Sequence, residues 1–550
     1  MNSPNARLTR VDLALVVLLA ALIAVFFWRI LTPNPADRAQ FPPGDFTDQF
    51  YAFRLVEARA LAAGHLPLWS ENYNSGHPFL ADVQAAVFYP IGLINTLLNV
   101  AVLGPNFSLF SLELEALLHF WLAGVLTFLF ARQIMSSRAG AFGAALVFTF
   151  GGYLTSYPSL QLAILETAAW LPLALLFVRM ASTGRRQVPW LLAAGLTLGV
   201  AALAGHPQTF VFVLAACVLY QVYLDWSAEA ARSTAALLRR SAPRVLLMVA
   251  VALGLAAVQL IPSIEYQRLS TREALSFQQA AAGLPTLDLL QFIFPGFTSA
   301  FASPLYIGIL PLWLALLALA RRERERAFWG LTALGALLLS FGFYVFAFAW
   351  VYLLLPGAGL FRQQERLAFI VSFALALLAG FGLQDLAEIA ERMRAGAARH
   401  LYLLLPAGAV LSLALLVTFF AAGVERSSGR LAFLGDRAGL MVILFVLSAL
   451  LAGARLSGRL APRSFALLAL ALVLFDLWSV TEPANKSAVA DRYAPNETVE
   501  TIKQDTGIFR VMADPQVAQG HWGIGYQLEE TSGISPLRLA HYDAVLALGP

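Results

Sequence analysis

The stretch VDLALVVLLAALIAVFFWRIL, Val11 to Leu31, carries one acid, Asp12, and one arginine, Arg29, among 21 residues. About twenty residues of α-helix rise about 30 Å, the thickness of a bilayer's hydrocarbon core. As a helix, this run crosses a membrane. Arg7 and Arg10 precede it, as basic residues also precede a secretory signal. The run ends in Phe26, Phe27 and Trp28 rather than in the small residues of a cleavage site, so it reads as a retained anchor.

Comparable apolar runs recur down the chain. Helices are expected at 11–31, 108–131, 139–157, 160–180, 188–204, 207–224, 244–263, 304–320, 327–344, 366–388, 401–422, 437–454 and 464–481. The expected fold class is therefore an all-α polytopic membrane protein of about thirteen transmembrane helices. Composition agrees: 59% of residues are hydrophobic and 13% charged, far from a water-soluble balance. The net charge of +4 and the pI near 9.2 do not point to nucleic acid, because the basic residues lie in short clusters between apolar runs. Cys217 stands alone, which excludes an intrachain disulfide and a multi-cysteine metal site.

Arginine sets the orientation. If the N-terminus is cytoplasmic, one side collects Arg132 and Arg138, Arg185 and Arg186, Arg232 to Arg244, the RRERER run from Arg321, Arg392 to Arg399, and Arg455 to Arg463. That is the positive-inside pattern, and thirteen spans put the C-terminus outside. A further apolar stretch at 84–103 would break this parity, so with Pro90 and Gly92 it reads as surface-lying or re-entrant. Three outer segments remain: 32–107, 264–303 and the tail. Residues 1–481 form the membrane domain, and 482–550 an extracytoplasmic segment. Strand-like GIFRVMAD from Gly507 and turn signals at Gly533 and Pro536 suggest the start of an α/β or β-rich domain. It stops at Pro550 without a closing element and reads as truncated.

The first outer loop concentrates chemistry: FPPGDFTDQFYAFR from Phe41, then GHLPLWSENYNSGHPFLADVQAAVFYP from Gly64. After Pro42, Pro43 and Gly44 a helix from Thr47 to Ala62 is expected, laying Phe50, Phe53 and Leu61 against the membrane. Asp45 and Asp48 open it. A carboxylate there can accept a proton from a hydroxyl or bind a divalent cation, Mg or Mn. Equally, Asp is a favoured helix cap. Trp69, Asn72, Tyr73, Asn74, His77, Asp82, Gln84 and Tyr89 suit the stacking and hydrogen bonding of a sugar, or an ordinary interfacial belt.

Polar residues at membrane depth are costly and informative. Glu113, Glu115, His119, Glu166, His206, Gln208, Gln259 and Glu265 are of this kind. His206 and Gln208 occupy a tight outer turn between two helices, with Pro207 breaking continuity. Opposing the acids are Arg268, Arg272, Arg362 and Arg366, outer arginines that run against the charge rule and suit a phosphate. Arg362 and Arg366 are four apart, on one face of a helix if it has begun; a helix-end cap or a lipid headgroup is the bland alternative.

Several ordered blocks resemble the YfhO-type family of bacterial membrane proteins, itself similar to the GT-C class of polytopic glycosyltransferases. They are GDFTDQF from Gly44, LPLWSENYNSGHPFLADVQAAVFYP from Leu66, ETAAWLPL from Glu166, AGHPQTF from Ala204, FRQQERLAF from Phe361, and the tail stretches GIFRVMAD and GISPLRLAHY. The resemblance implies a GT-C-like fold in the bacterial cytoplasmic membrane. It also implies transfer of a sugar from a polyprenyl-phosphate donor to a cell-envelope acceptor, with an acid of the first outer loop at the site. Asp45 followed four residues later by Gln49 matches best, with Asp48 second. On this reading Asp82 and Glu166 support the acid, and Arg272, Arg362 and Arg366 receive phosphate. Glu265 joins the substrate-binding set. A transporter or flippase of a lipid-linked saccharide, and a non-catalytic partner that binds envelope polymer, are the competing functions. The former calls for midplane polarity and paired repeats.

Overall fold

A computed structural model of the chain describes residues 8–156, 161–184, 186–228, 233–271, 275–296, 303–355, 357–388, 408, 413, 428–481, 487–494, 496–512, 514, 521–535 and 537–546. Among them, eight helices are long and apolar enough to cross a membrane: Leu109–Ile134, Arg138–Ser156, Leu162–Thr183, Pro207–Ser227, Thr234–Arg268, Gln364–Ala387, Gly435–Leu456 and Pro462–Thr481. Shorter apolar helices occupy Gln187–Leu203 and Ile309–Leu319. The first run is the helix Arg10–Phe26, opened by a Thr9–Asp12 capping box and continued after Phe27 by Trp28–Leu31. The expected span at 401–422 lies almost wholly outside the described residues.

Burial divides centre from rim. The best apolar windows of Gln364–Ala387 and Arg138–Ser156 are each 94% buried, whereas that of Thr234–Arg268 is 22% buried and shows its leucines outward. In lipid, close helix packing depends on small residues rather than on hydrophobic exclusion. Gly382 lets Ala368–Ala387 approach the Ile309–Leu319 backbone: a Cβ there would lie 2.0 Å from the Leu314 carbonyl oxygen. A Cβ on Gly140 would meet the Gly380 oxygen at 2.6 Å.

Charges lock the helix ends on the arginine-rich face. Asp12 pairs with Arg132 at 3.4 Å and Arg138 at 3.1 Å. Asp385 pairs with Arg321 at 3.1 Å and with Arg326, while Asp225 holds Arg240 at 3.0 Å and Arg244.

The other face carries the first loop. Its helix differs from expectation: a π-turn over Phe46–Phe50 runs into the α-helix Tyr51–Ala62. Phe50 and Phe53 point into the core, not at lipid, because Arg54 and Glu57 beside them are buried in a polar network. The stretch at 84–103 yields the helix Pro90–Leu103, whose 14 residues rise only about 21 Å. Gly92, Thr96 and Asn99 are buried, while Leu98 and Val102 are exposed.

The tail packs on this loop. Ser487–Ala488 pairs antiparallel with Ala39–Gln40. Elsewhere its described residues form short helices, Glu497–Lys503, Trp522–Tyr526 and Ala540–Leu546. The strand expected at GIFRVMAD reduces to a single bridge between Val511 and Glu530. Ile508 is fully exposed, so no neighbouring ladder exists there to reward the β-favouring side chains.

Candidate functional site

The loop face brings Asp45 together with residues from three other segments. Asp45 starts the π-turn, yet its side chain makes no capping bond to the turn, which removes the capping alternative. Instead Gln161 Nε2 donates to Asp45 Oδ2 at 2.5 Å. Burial pushes the Asp45 carboxyl above its ordinary range, and the nearby Asp48 adds to this; Gln161 and the Arg366 cation oppose it. The result is a half-buried carboxylate that takes up a proton more readily than a free one.

Arg366 faces it from the segment before the central helix. Its Nη1 donates to Gln208 Oε1 at 2.8 Å and its Nη2 to Gln363 Oε1 at 2.5 Å, while Nε is buried without a partner among the described residues. Both partners are neutral amides, so the guanidinium charge stays available. The Arg366 carbonyl accepts from the Tyr153 hydroxyl at 3.2 Å, which fixes the backbone. Gln208 follows His206, whose Nδ1 accepts from the Thr209 amide at 3.1 Å and caps the helix Pro207–Ser227. Burial, reinforced by Arg366, holds His206 well below its usual pKa, so it is a neutral cap.

Arg362 does not share this face. Gln363 adopts a left-handed conformation with φ of 63°, which breaks any helix before Gln364, and Arg362 is left exposed. The i,i+4 expectation therefore fails here, since it required a continuous helix. Glu265 is exposed on the last turn of Thr234–Arg268, and Arg272 lies outside the described residues.

Asp48 turns to the tail, pairing with Arg492 at 2.9 Å and accepting from Thr47 Oγ1 at 2.8 Å. Among the described residues no three histidine, cysteine or acidic side chains converge as metal ligands, and Asp48 is already committed to Arg492.

The match extends over most of the chain. A family model described as "Bacterial membrane protein YfhO" covers residues 16–510. This chain belongs to the YfhO family. Among solved structures, this YfhO protein is similar to ArnT from Cupriavidus metallidurans bound to undecaprenyl phosphate, at 16% identity and a TM-score of 0.48, covering 97% of this chain and 87% of that one. The Archaeoglobus fulgidus oligosaccharyltransferase aligns at 13% identity and a TM-score of 0.44, covering 95% and 64%. Arabinofuranosyltransferase AftD from Mycobacteria aligns at 15% and 0.49, covering 94% and 31%. No curated protein matches the sequence.

The remaining loop residues of this YfhO protein have structural partners. Gln49 donates to Gln84 at 2.9 Å. His77 Nε2 meets Asp82 Oδ2 at 3.0 Å, which also accepts from Ser535 Oγ at 3.1 Å, and all three are buried. Burial disfavours the Asp82 anion, but the hydrogen bonds from His77, Gln84 and Ser535 outweigh it and hold its pKa below the usual range. Asn72 donates to the Leu528 carbonyl, and half-exposed Trp69 packs on Gly76 of its own loop. Asn72 and Asp82 thus tie the loop to the tail, while Gln84 and Glu166 line a small cavity with Arg54 and Leu162. Tyr89 accepts from Trp170 at 3.0 Å and meets His119 at 2.5 Å. Glu166 is buried beside Glu115, which pairs with Arg54 at 2.8 Å.

Sequence reading missed Gln161, Gln363, Arg54 and Arg492. Gln161 had a signal, an amide at the start of the apolar run LAILETAAWLPL. Arg492 had none, since its partner lies 444 positions earlier.

Proposed function

We propose that this YfhO protein is an inverting glycosyltransferase that moves a sugar from a polyprenyl-phosphate-linked donor to a hydroxyl of a cell-envelope acceptor. The observation that carries the reading is the opposed pair: a carboxylate of raised proton affinity at Asp45, and Arg366, whose fork among the described residues is held by two neutral amides. Single displacement at a sugar carbon needs these two functions.

Asp45 takes the proton of the acceptor hydroxyl. The hydroxyl oxygen bonds to the anomeric carbon as the bond from that carbon to the phosphate oxygen breaks, and the polyprenyl phosphate leaves with the electron pair. Arg366 meets the charge that develops on the leaving phosphate. A membrane-embedded enzyme suits a donor whose lipid tail stays in the bilayer. On this reading the loop face is extracytoplasmic, the arginine-rich face cytoplasmic, and thirteen spans run between them in the bacterial inner membrane.

The test is Asp45→Asn in proteoliposomes supplied with polyprenyl-phosphate sugars, with transfer and donor binding measured together. Lost transfer with retained binding is expected. Normal transfer by the variant would overturn the reading.

A further inference from the structure

A cleft of about 280 Å³ opens beside this site, at the seam between the first loop, the start of the helix Leu109–Ile134 and the tail. Its volume is just under the range of about 300–1,000 Å³ typical of small-molecule pockets, enough for a single sugar unit. Six side chains define its chemistry: Arg38, Gln40, Tyr51, Glu113, Asp491 and Arg492.

The geometry points to a subsite for a neutral sugar unit of the acceptor. The inference rests on the glycosyltransferase reading above. Each hydroxyl of a sugar both donates and accepts, so its site must offer both kinds of group. Here the guanidiniums of Arg38 and Arg492 donate, the carboxylates of Asp491 and Glu113 accept, and Gln40 does both. The two arginines and two acids of the wall balance in formal charge, which suits a neutral polar ligand better than an ion. An acyl chain would leave these polar groups unsatisfied. Two aromatic rings, Tyr51 and Phe110, also line the wall and add apolar surface for the carbon face of a sugar; Tyr51 packs on Tyr493 and Phe110 on Arg38.

Position supplies the link to chemistry. Arg492 lines the cleft and also pairs with Asp48 at 2.9 Å, and the Asp48 charge acts on Asp45. A sugar in the cleft therefore flanks the reacting hydroxyl instead of replacing it. The acceptor is a glycan of at least two units, one in the cleft and one at Asp45.

Binding of defined mono-, di- and tetrasaccharides of glucose, galactose, mannose and N-acetylglucosamine to the detergent-purified full chain tests this by calorimetry. Val489→Trp fills the cleft from an exposed position, and Asp491→Asn removes one acceptor charge. At least one tetrasaccharide should bind, more tightly than its monosaccharide, with affinity falling about tenfold or more in either variant. Binding is read without donor or turnover, which separates the cleft from the catalytic reading: failure of transfer chemistry leaves this result intact. No binding by any saccharide, equal binding by Val489→Trp, or displacement of the bound sugar by inorganic phosphate would each overturn the subsite.

Discussion

Gln161 and Asp45 are 116 positions apart in sequence, yet the Gln161 amide donates to the Asp45 carboxylate at 2.5 Å. That single bond stabilises the anion that burial disfavours. A base must be deprotonated to act, so the acid limb of transfer activity should lie above the pH at which an ordinary aspartate titrates. Gln161→Leu removes a contact that lowers the pKa, so its limb should move to still higher pH while the plateau rate changes less. Overlaid pH profiles of kcat/KM for parent and variant decide this.

Arg366 holds its fork between two amide oxygens. Replacing it with Gln should lower kcat by about 10²–10³, the usual loss for one preorganised donor at a developing oxyanion. Arg366→Lys should recover little, because an ammonium keeps the charge but cannot span Gln208 and Gln363 together. Steady-state kinetics with a fixed lipid-linked donor measure both.

Arg54 is buried between Glu57 at 2.9 Å and Glu115 at 2.8 Å. It lies so close to Gly92 that a Cβ there would come within 2.0 Å of Nη2. Arg54→Ala should cost about 3–5 kcal/mol by leaving buried acids unpaired. Gly92→Ala should displace the same guanidinium, so the double variant should be scarcely worse than either single one. Thermal unfolding in detergent is the readout, and full additivity would separate the two residues.

His521 stacks on Phe53 and is buried with neither ring nitrogen partnered among the described residues, and burial, helped by His77, lowers its pKa to about 3. The unfolded imidazole titrates near 6.5, so between pH 6.5 and 3 the unfolded state binds the extra proton. Stability of the seam should therefore fall as pH drops through that window. Asp82, held below its ordinary range, adds a loss at the acid end as its anion is protonated. His521→Phe should flatten the upper part of the response, followed by limited proteolysis of the tail across pH.

The membrane helices were legible because lipid imposes one rule, a long apolar run with its backbone bonds satisfied internally. Expected 188–204 and observed Gln187–Leu203 differ by one residue at each end. Asp45 was legible as a chemical group but not as a partner of Gln161, since nothing local distinguishes an acid that caps from one that is held across the fold. His77 and Asp82 misled for the opposite reason. Polar loop residues read as ligand-facing until the tail is seen to cover them. Arg362 and Arg366 read as one face because i,i+4 spacing presumes a helix, and the left-handed Gln363 that breaks it is not a glycine.

The pairing of Ala39 with Ala488 has a consequence in time. A ribosome releases the first loop long before the segment that finishes it, and at about 5–20 residues per second the delay is on the order of half a minute. During that interval Asp48 waits for Arg492 and Asp82 for Ser535. The first loop therefore finishes its packing only after these tail residues have been synthesised, so the order of assembly runs from the far end of the chain back to its beginning.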